Sequence, residues 1–119
     1  MKSIEAKERK YVENKLVKKL KELGIFNCKG NPQQLRGFPD RMIFINSNII
    51  FVECKAGKEL GSYYNQTPLQ KKWQEQVMSS GAYYKLVVGS KGVDDFMAWL
   101  KGLIAIYGKT NCFADTKVV

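Results

Sequence analysis

The 119-residue chain predicts an α/β domain, a central mixed β-sheet flanked by helices. Three observations carry that expectation. Apolar residues recur at helical spacing in three separate stretches, and short runs of β-branched and aromatic residues stand between them. Two of those runs flank a turn-forming cluster and are apolar on both alternating faces. A strand pair of that kind belongs in a sheet covered on both sides, which is α/β layering.

Residues 3 to 23 read as the first helix, with Val12, Leu16, Leu20 and Leu23 on one stripe and Gly24 as its stop. At about 100° per residue, Glu13 falls inside that stripe, between Leu20 and Val17. Glu5 lies in the same arc two turns earlier. A carboxylate there either serves a site or snorkels from the stripe's edge, and both readings stand. Residues 25 to 29 suit a short first strand. A polar loop from Gly30 to Gly37 follows, with Lys29 before it and Arg36 within it.

Gly37-Phe38-Pro39 leads into a hairpin of Arg41 to Ile45 and Ile49 to Cys54, joined by Asn46-Ser47-Asn48. Pro39 suits a strand's start, where its missing N–H costs little. With Ser47-Asn48 as a two-residue loop, Asn46 pairs with Ile49, Met42 with Glu53, and Asp40 with Lys55. Alternation then points Asp40, Glu53 and Lys55 to the face of Phe44 and Phe51, while Ile43, Ile45, Ile50 and Val52 take the other. A slip of one residue would turn Asp40 away.

Ala56 to Asn65 reads as a flexible loop with Lys58, Tyr63 and Tyr64. Exposed tyrosines among basic residues can stack on bases, although structural tyrosines are commoner. Thr67-Pro68-Leu69-Gln70 opens the next helix, with threonine as N-cap, proline at the first position and glutamine at the capping-box place. Leu69, Trp73 and Val77 form its predicted buried stripe, and Gly81 ends it. Tyr83 to Val88 is a further strand. Gly89 and Gly92 frame a predicted turn, and a last helix starts at Asp94 or Asp95 with Phe96, Met97, Leu100, Leu103, Ile104 and Tyr107 as its stripe. The order is α-β-β-β-α-β-α, one domain over residues 1–119.

Composition narrows the chemistry. A hydrophobic share of 45% and a charged share of 26% are ordinary for a globular core. No apolar run approaches the roughly 20 residues of a membrane span, and no signal-peptide pattern appears, so the expectation is a cytoplasmic protein. The net charge of +9 favours a polyanionic partner, with a solvated basic surface as the plain alternative. Cys28, Cys54 and Cys112 lack metal or disulfide-framework spacing, and Cys54 alternates onto the Ile50 and Val52 face as a small buried hydrophobe. The chain has no histidine, which removes histidine triads, bases and metal ligands together.

What remains is Pro39-Asp40 followed by Glu53-Cys54-Lys55. Two carboxylates on one patch repel unless a cation intervenes, and a hard divalent metal resolves the conflict. The lysine, about 6 to 7 Å further along the strand from Glu53, is then free for an anionic substrate. In so basic a chain, a phosphodiester backbone is the obvious one. A structural ion pair at a strand end is the other reading of the same cluster.

Glu13 on a first helix, Gly37-x-Pro39-Asp40, Glu53-x-Lys55 and Gln70 on the next helix resemble the PD-(D/E)xK nuclease superfamily. More closely, they are similar to the small virus-type replication-repair nuclease (VRR-NUC) domains. The strings GFPDRMIF, IIFVECKAG, TPLQKKW and SGAYYKLVVGS carry the likeness. It implies a restriction-endonuclease-like core and a metal-dependent endodeoxyribonuclease. Asp40, Glu53 and the Cys54 backbone carbonyl would hold Mg²⁺ or Mn²⁺, with Glu13 acting directly or through water and Glu5 as its substitute. Lys55 would orient the attacking water and stabilise transition-state charge, and Gln70 matches the family's helix glutamine. Lys29, Arg36, Arg41 and Lys58 are the basic candidates for DNA contact. The stand-alone domains of this family resemble Holliday-junction resolvases, so a homodimer acting on branched DNA in a phage or prophage replication module is expected. A flap- or end-directed nuclease on the same fold and a non-catalytic nucleic-acid-binding module are the alternatives.

Overall fold

The structure is a computed structural model that describes residues 4–30, 36–57 and 66–108, with backbone alone for residues 4–6. Helix α1 (Ile4–Glu22) precedes strands β1 (Asn27–Lys29), β2 (Arg41–Ile45) and β3 (Asn48–Lys55). Helix α2 (Pro68–Ser79), strand β4 (Tyr83–Val88) and helix α3 (Gly89–Tyr107) complete the order. The four strands form one mixed sheet in sequence order, antiparallel from β1 through β3 and parallel between β3 and β4. Among the described residues, no helix is long and apolar enough to cross a membrane.

The stripe of α1 follows its spacing. Val12, Leu16 and Leu20 are buried, and Gly24 ends the helix with a left-handed φ of 68°. They meet Ile43, Ile45, Ile50, Val52 and Cys54 from one face of the hairpin, and Val93, Phe96, Met97, Leu100 and Leu103 from α3. Burying each large aliphatic side chain there contributes about 2 kcal/mol. The opposite face is covered unevenly. Phe38 stacks edge-on against Phe51 and Trp73 under α2, while Ile49 is exposed and Met42 and Phe44 are half-buried. Both faces of the sheet thus carry helices, as α/β layering requires, but among the described residues one face is sealed by two helices and the other is less fully covered.

The hairpin register also differs from expectation. Ile45 pairs with Asn48 and Met42 with Phe51, so the loop is Asn46-Ser47, one position earlier than predicted. Asn46 takes the positive φ of 55° that the tight turn needs, which asparagine tolerates, and its amide donates to the Tyr107 carbonyl at 2.6 Å. One step beyond the last pair, the ladder sets Asp40 across from Glu53, not Lys55. Moving the loop by one position shifts the pairing by two residues, so parity holds and Asp40, Glu53 and Lys55 still share a face.

Two further corrections concern the helices. Leu69 of the expected α2 stripe is 41% exposed, whereas Val77 is buried and Trp73 half-buried. Gly89 and Gly92 do not frame a turn before α3. Gly89 makes the turn alone at φ 70°, and α3 begins there. Gly92 lies inside the helix, where a Cβ would stand 3.3 Å from the Val87 backbone, so its smallness lets α3 pack down on β4. Tyr107 is 47% exposed at the far end.

Gly30 marks a close approach of two backbone segments. A Cβ there would stand 2.0 Å from the Pro39 carbonyl oxygen, and its own N–H donates to the Asp40 carbonyl at 2.7 Å. Gly30→Ala is therefore expected to cost roughly 1–3 kcal/mol by overpacking. Gly102→Ala, on a helix position with open space, should stabilise by about 0.5–1 kcal/mol. Thermal unfolding of the two variants checks the contrast.

Candidate active site

The site stands where β2 begins and β3 ends, on the face that α2 covers. Asp40 enters it from the bend after Pro39, whose side chain is fully buried. One carboxylate oxygen accepts the Cys54 N–H at 2.8 Å, which seats Asp40 against the β3 backbone. Glu53 is 1% exposed, the only charged residue among the buried ones described. Lys55 projects from the same face and approaches the Glu53 carboxylate at 3.7 Å.

Gln70 joins this group from α2. Its amide nitrogen donates to Glu53 Oε2 at 2.5 Å, and its Oε1 accepts from Lys55 Nζ at 3.1 Å. The same Oε1 accepts the Thr67 backbone N–H at 3.0 Å, while Thr67 Oγ1 accepts the Gln70 N–H. The capping box is complete. Cap and site are thus alternatives only on paper: one amide serves both, and the helix start fixes its orientation.

The electrostatics follow from burial. Desolvation raises the Asp40 pKa, opposed by the Cys54 N–H and then by the charge of Arg9. Burial and the neighbouring Asp40 push Glu53 up to about 8 against the pull of Lys55 and Arg9. Glu53 Oε2 is hydrogen-bonded, but the buried Oε1 has no partner among the described residues. Burial also pushes the Cys54 thiol well up, so it is a poor nucleophile at neutral pH.

Glu13 reaches toward the site from α1: its carboxylate is taken by the Arg41 guanidinium at 3.0 Å, and its charge adds to the rise of the Asp40 pKa. Arg41 also donates from Nη1 to the Asn27 side chain at 3.3 Å, so two of its donors are engaged within the fold. Lys29 is exposed on β1. Arg36 is exposed on a turn whose carbonyl accepts the Trp73 indole N–H at 2.9 Å. Lys58, Tyr63, Tyr64 and Cys112 lie outside the described residues, as does the Glu5 side chain. Arg9 has no counterpart among the sequence-derived candidates. Its signal was a basic residue inside the apolar arc of α1, the same kind of misfit that marks Glu13.

Among the described residues, no group of three or more acidic or cysteine side chains could by itself hold a metal ion. Two carboxylates suffice for Mg²⁺, which keeps several waters and takes one or two protein carboxylates. The unpartnered Glu53 oxygen beside Asp40 fits such an ion. No protein-family model matches the chain, and no curated protein is significantly similar to it.

Two outcomes are expected. Glu53 binds its proton more tightly folded than at its ordinary 4.5, so its contribution to stability is intact below about pH 4.5 and is lost as pH rises toward about 8. Thermal unfolding in EDTA should show the wild type losing stability over that window, by an amount on the order of a few kcal/mol relative to Glu53→Gln. Gln70→Ala should cost about 1 kcal/mol through the cap. Gln70→Glu keeps the capping oxygen but sets a second carboxylate against Glu53, so its deficit should steepen with pH more than that of Gln70→Ala.

Proposed function

We propose that the protein is a Mg²⁺- or Mn²⁺-dependent DNA endonuclease of the VRR-NUC kind, built on a restriction-endonuclease-like core. The observation that carries this reading is the buried Glu53 carboxylate, with one oxygen unpartnered, set beside Asp40 and reached by Lys55 and Gln70. A binding surface has no use for two clustered carboxylates that oppose a polyanion. A hydrolytic site does. The α-β-β-β-α-β-α order supports the fold assignment.

Asp40 and Glu53 would hold the ion, with the Cys54 carbonyl as a further oxygen donor. When bound, the ion polarises a phosphoryl oxygen and lowers the pKa of a coordinated water. Lys55, steadied by Gln70, would orient the attacking water and meet the charge that builds on the phosphate oxygens. Glu13 would act at one remove, by holding Arg41 at the start of β2 beside Asp40. Branched DNA is the proposed substrate, with two sites supplied by a homodimer to a two-fold symmetric junction. Selectivity would come from shape and phosphate positions. The setting is the cytoplasm of a host cell, within a phage or prophage replication module.

Asp40→Asn, Glu53→Gln and Lys55→Ala are each expected to lower cleavage by at least about a hundredfold, as loss of a preorganised charge does. DNA binding in Ca²⁺ should change little. The check is a panel of labelled four-way, flap, single-stranded and linear DNAs with Mg²⁺ or Mn²⁺. Wild-type turnover by Lys55→Ala would rule the mechanism out.

A further inference from the structure

Helix α1 brings a cation to the site that the mechanism above leaves without a task. Arg9 precedes Glu13 by one turn and Leu16 by two, and at about 100° per residue it points between the directions of Leu16 and Leu20. Those two leucines are fully buried, yet Arg9 is exposed. A long basic side chain in an apolar arc stays exposed by reaching past the packed layer to water. Glu13 meets Arg41, the first residue of β2, so the turn before it extends past the strand's start toward Asp40. The charge of Arg9 acts on both Asp40 and Glu53, and among the cations around Asp40 it acts most strongly.

Arg9 makes no hydrogen bond or ion pair among the described residues, in contrast to Arg41, which Glu13 and Asn27 hold. A counter-ion kept for structure would be engaged as Arg41 is. Free guanidinium donors over a carboxylate site instead suit a ligand that arrives with its own negative charge. We propose that Arg9 is a phosphate-binding residue of this site, gripping the nucleic-acid backbone where it passes Asp40 and Glu53. The proposal rests on the nuclease reading. A guanidinium offers a planar fork of donors matched to two phosphate oxygens, which an ammonium does not. Arg9 then grips the strand from α1, while Lys55, on the sheet beside α2, meets the charge that builds only as the phosphate reacts.

Affinities of wild type, Arg9→Ala and Arg9→Lys for a labelled four-way junction and a linear duplex, in Ca²⁺ over a salt series, test this. Arg9→Ala should bind about tenfold more weakly, and its log–log salt slope should be shallower by about 0.9, the mark of one lost phosphate contact. Arg9→Lys should keep the slope and recover only part of the affinity. The melting temperature should not move, since the side chain is exposed. If Arg9→Ala binds within twofold of wild type with the same slope, while the wild type binds and cuts DNA, the Arg9 assignment alone is overturned. A wild type that binds neither DNA overturns the nuclease reading and this inference together.

Discussion

Two carboxylates brought together at the end of a strand pair, one of them out of water, form the constraint that the surrounding structure answers. Ionised Glu53 beside Asp40 is unfavourable on two counts, desolvation and like charge. The fold responds with Lys55 at 3.7 Å, a Gln70 amide at 2.5 Å and the Cys54 N–H on Asp40 at 2.8 Å. One Glu53 oxygen is left without a partner all the same. Buried ion pairs replaced as a whole by well-packed apolar residues often leave stability unchanged or raised, so such a cluster is weak evidence of a structural role. A cluster that costs stability and still leaves an oxygen unmet is better suited to holding a ligand than to holding the fold.

The layering makes that cost tolerable. Helices α1 and α3 seal one sheet face with a continuous hydrophobic core. Among the described residues, the other face carries one helix, α2, an aromatic cluster of Phe38, Phe51 and Trp73, and the polar site. The unmet hydrogen-bonding capacity of Glu53 therefore sits away from that core. Lys15, bonded to Ser90 and Asp94, ties the two core helices together on the solvent side.

Much of this was legible in the chain, and the failures have identifiable causes. Arg41 to Ile45 and Tyr83 to Val88 are strands at the predicted bounds, because β-branched runs bordered by turn residues leave few alternatives. The capping box at Thr67 was readable from residue types at fixed offsets. The hairpin loop was misplaced because Asn46-Ser47-Asn48 offers asparagine on either side, and only the backbone shows which takes the left-handed turn. Side-chain alternation protected the face assignment from that error. The start of α3 was hidden because a glycine can signal either a loop or a close helix–strand contact, and Gly92 does the second. Leu69 misled because helical spacing marks a direction, whereas burial depends on what lies opposite. The dual role of Gln70 needed the third dimension, since nothing in Thr-Pro-Leu-Gln reports a glutamate on a distant strand.

That shared amide links two properties usually considered apart. The first turn of α2 and the ionic state around Glu53 are held by one side chain, so neither can change without disturbing the other. A ligand that draws Glu53 away, or a proton that neutralises it, alters how firmly Gln70 is held and with it the tendency of that turn to fray. Amide hydrogen exchange at the beginning of α2 thereby becomes a remote gauge of occupancy at the carboxylates, readable without any turnover at all.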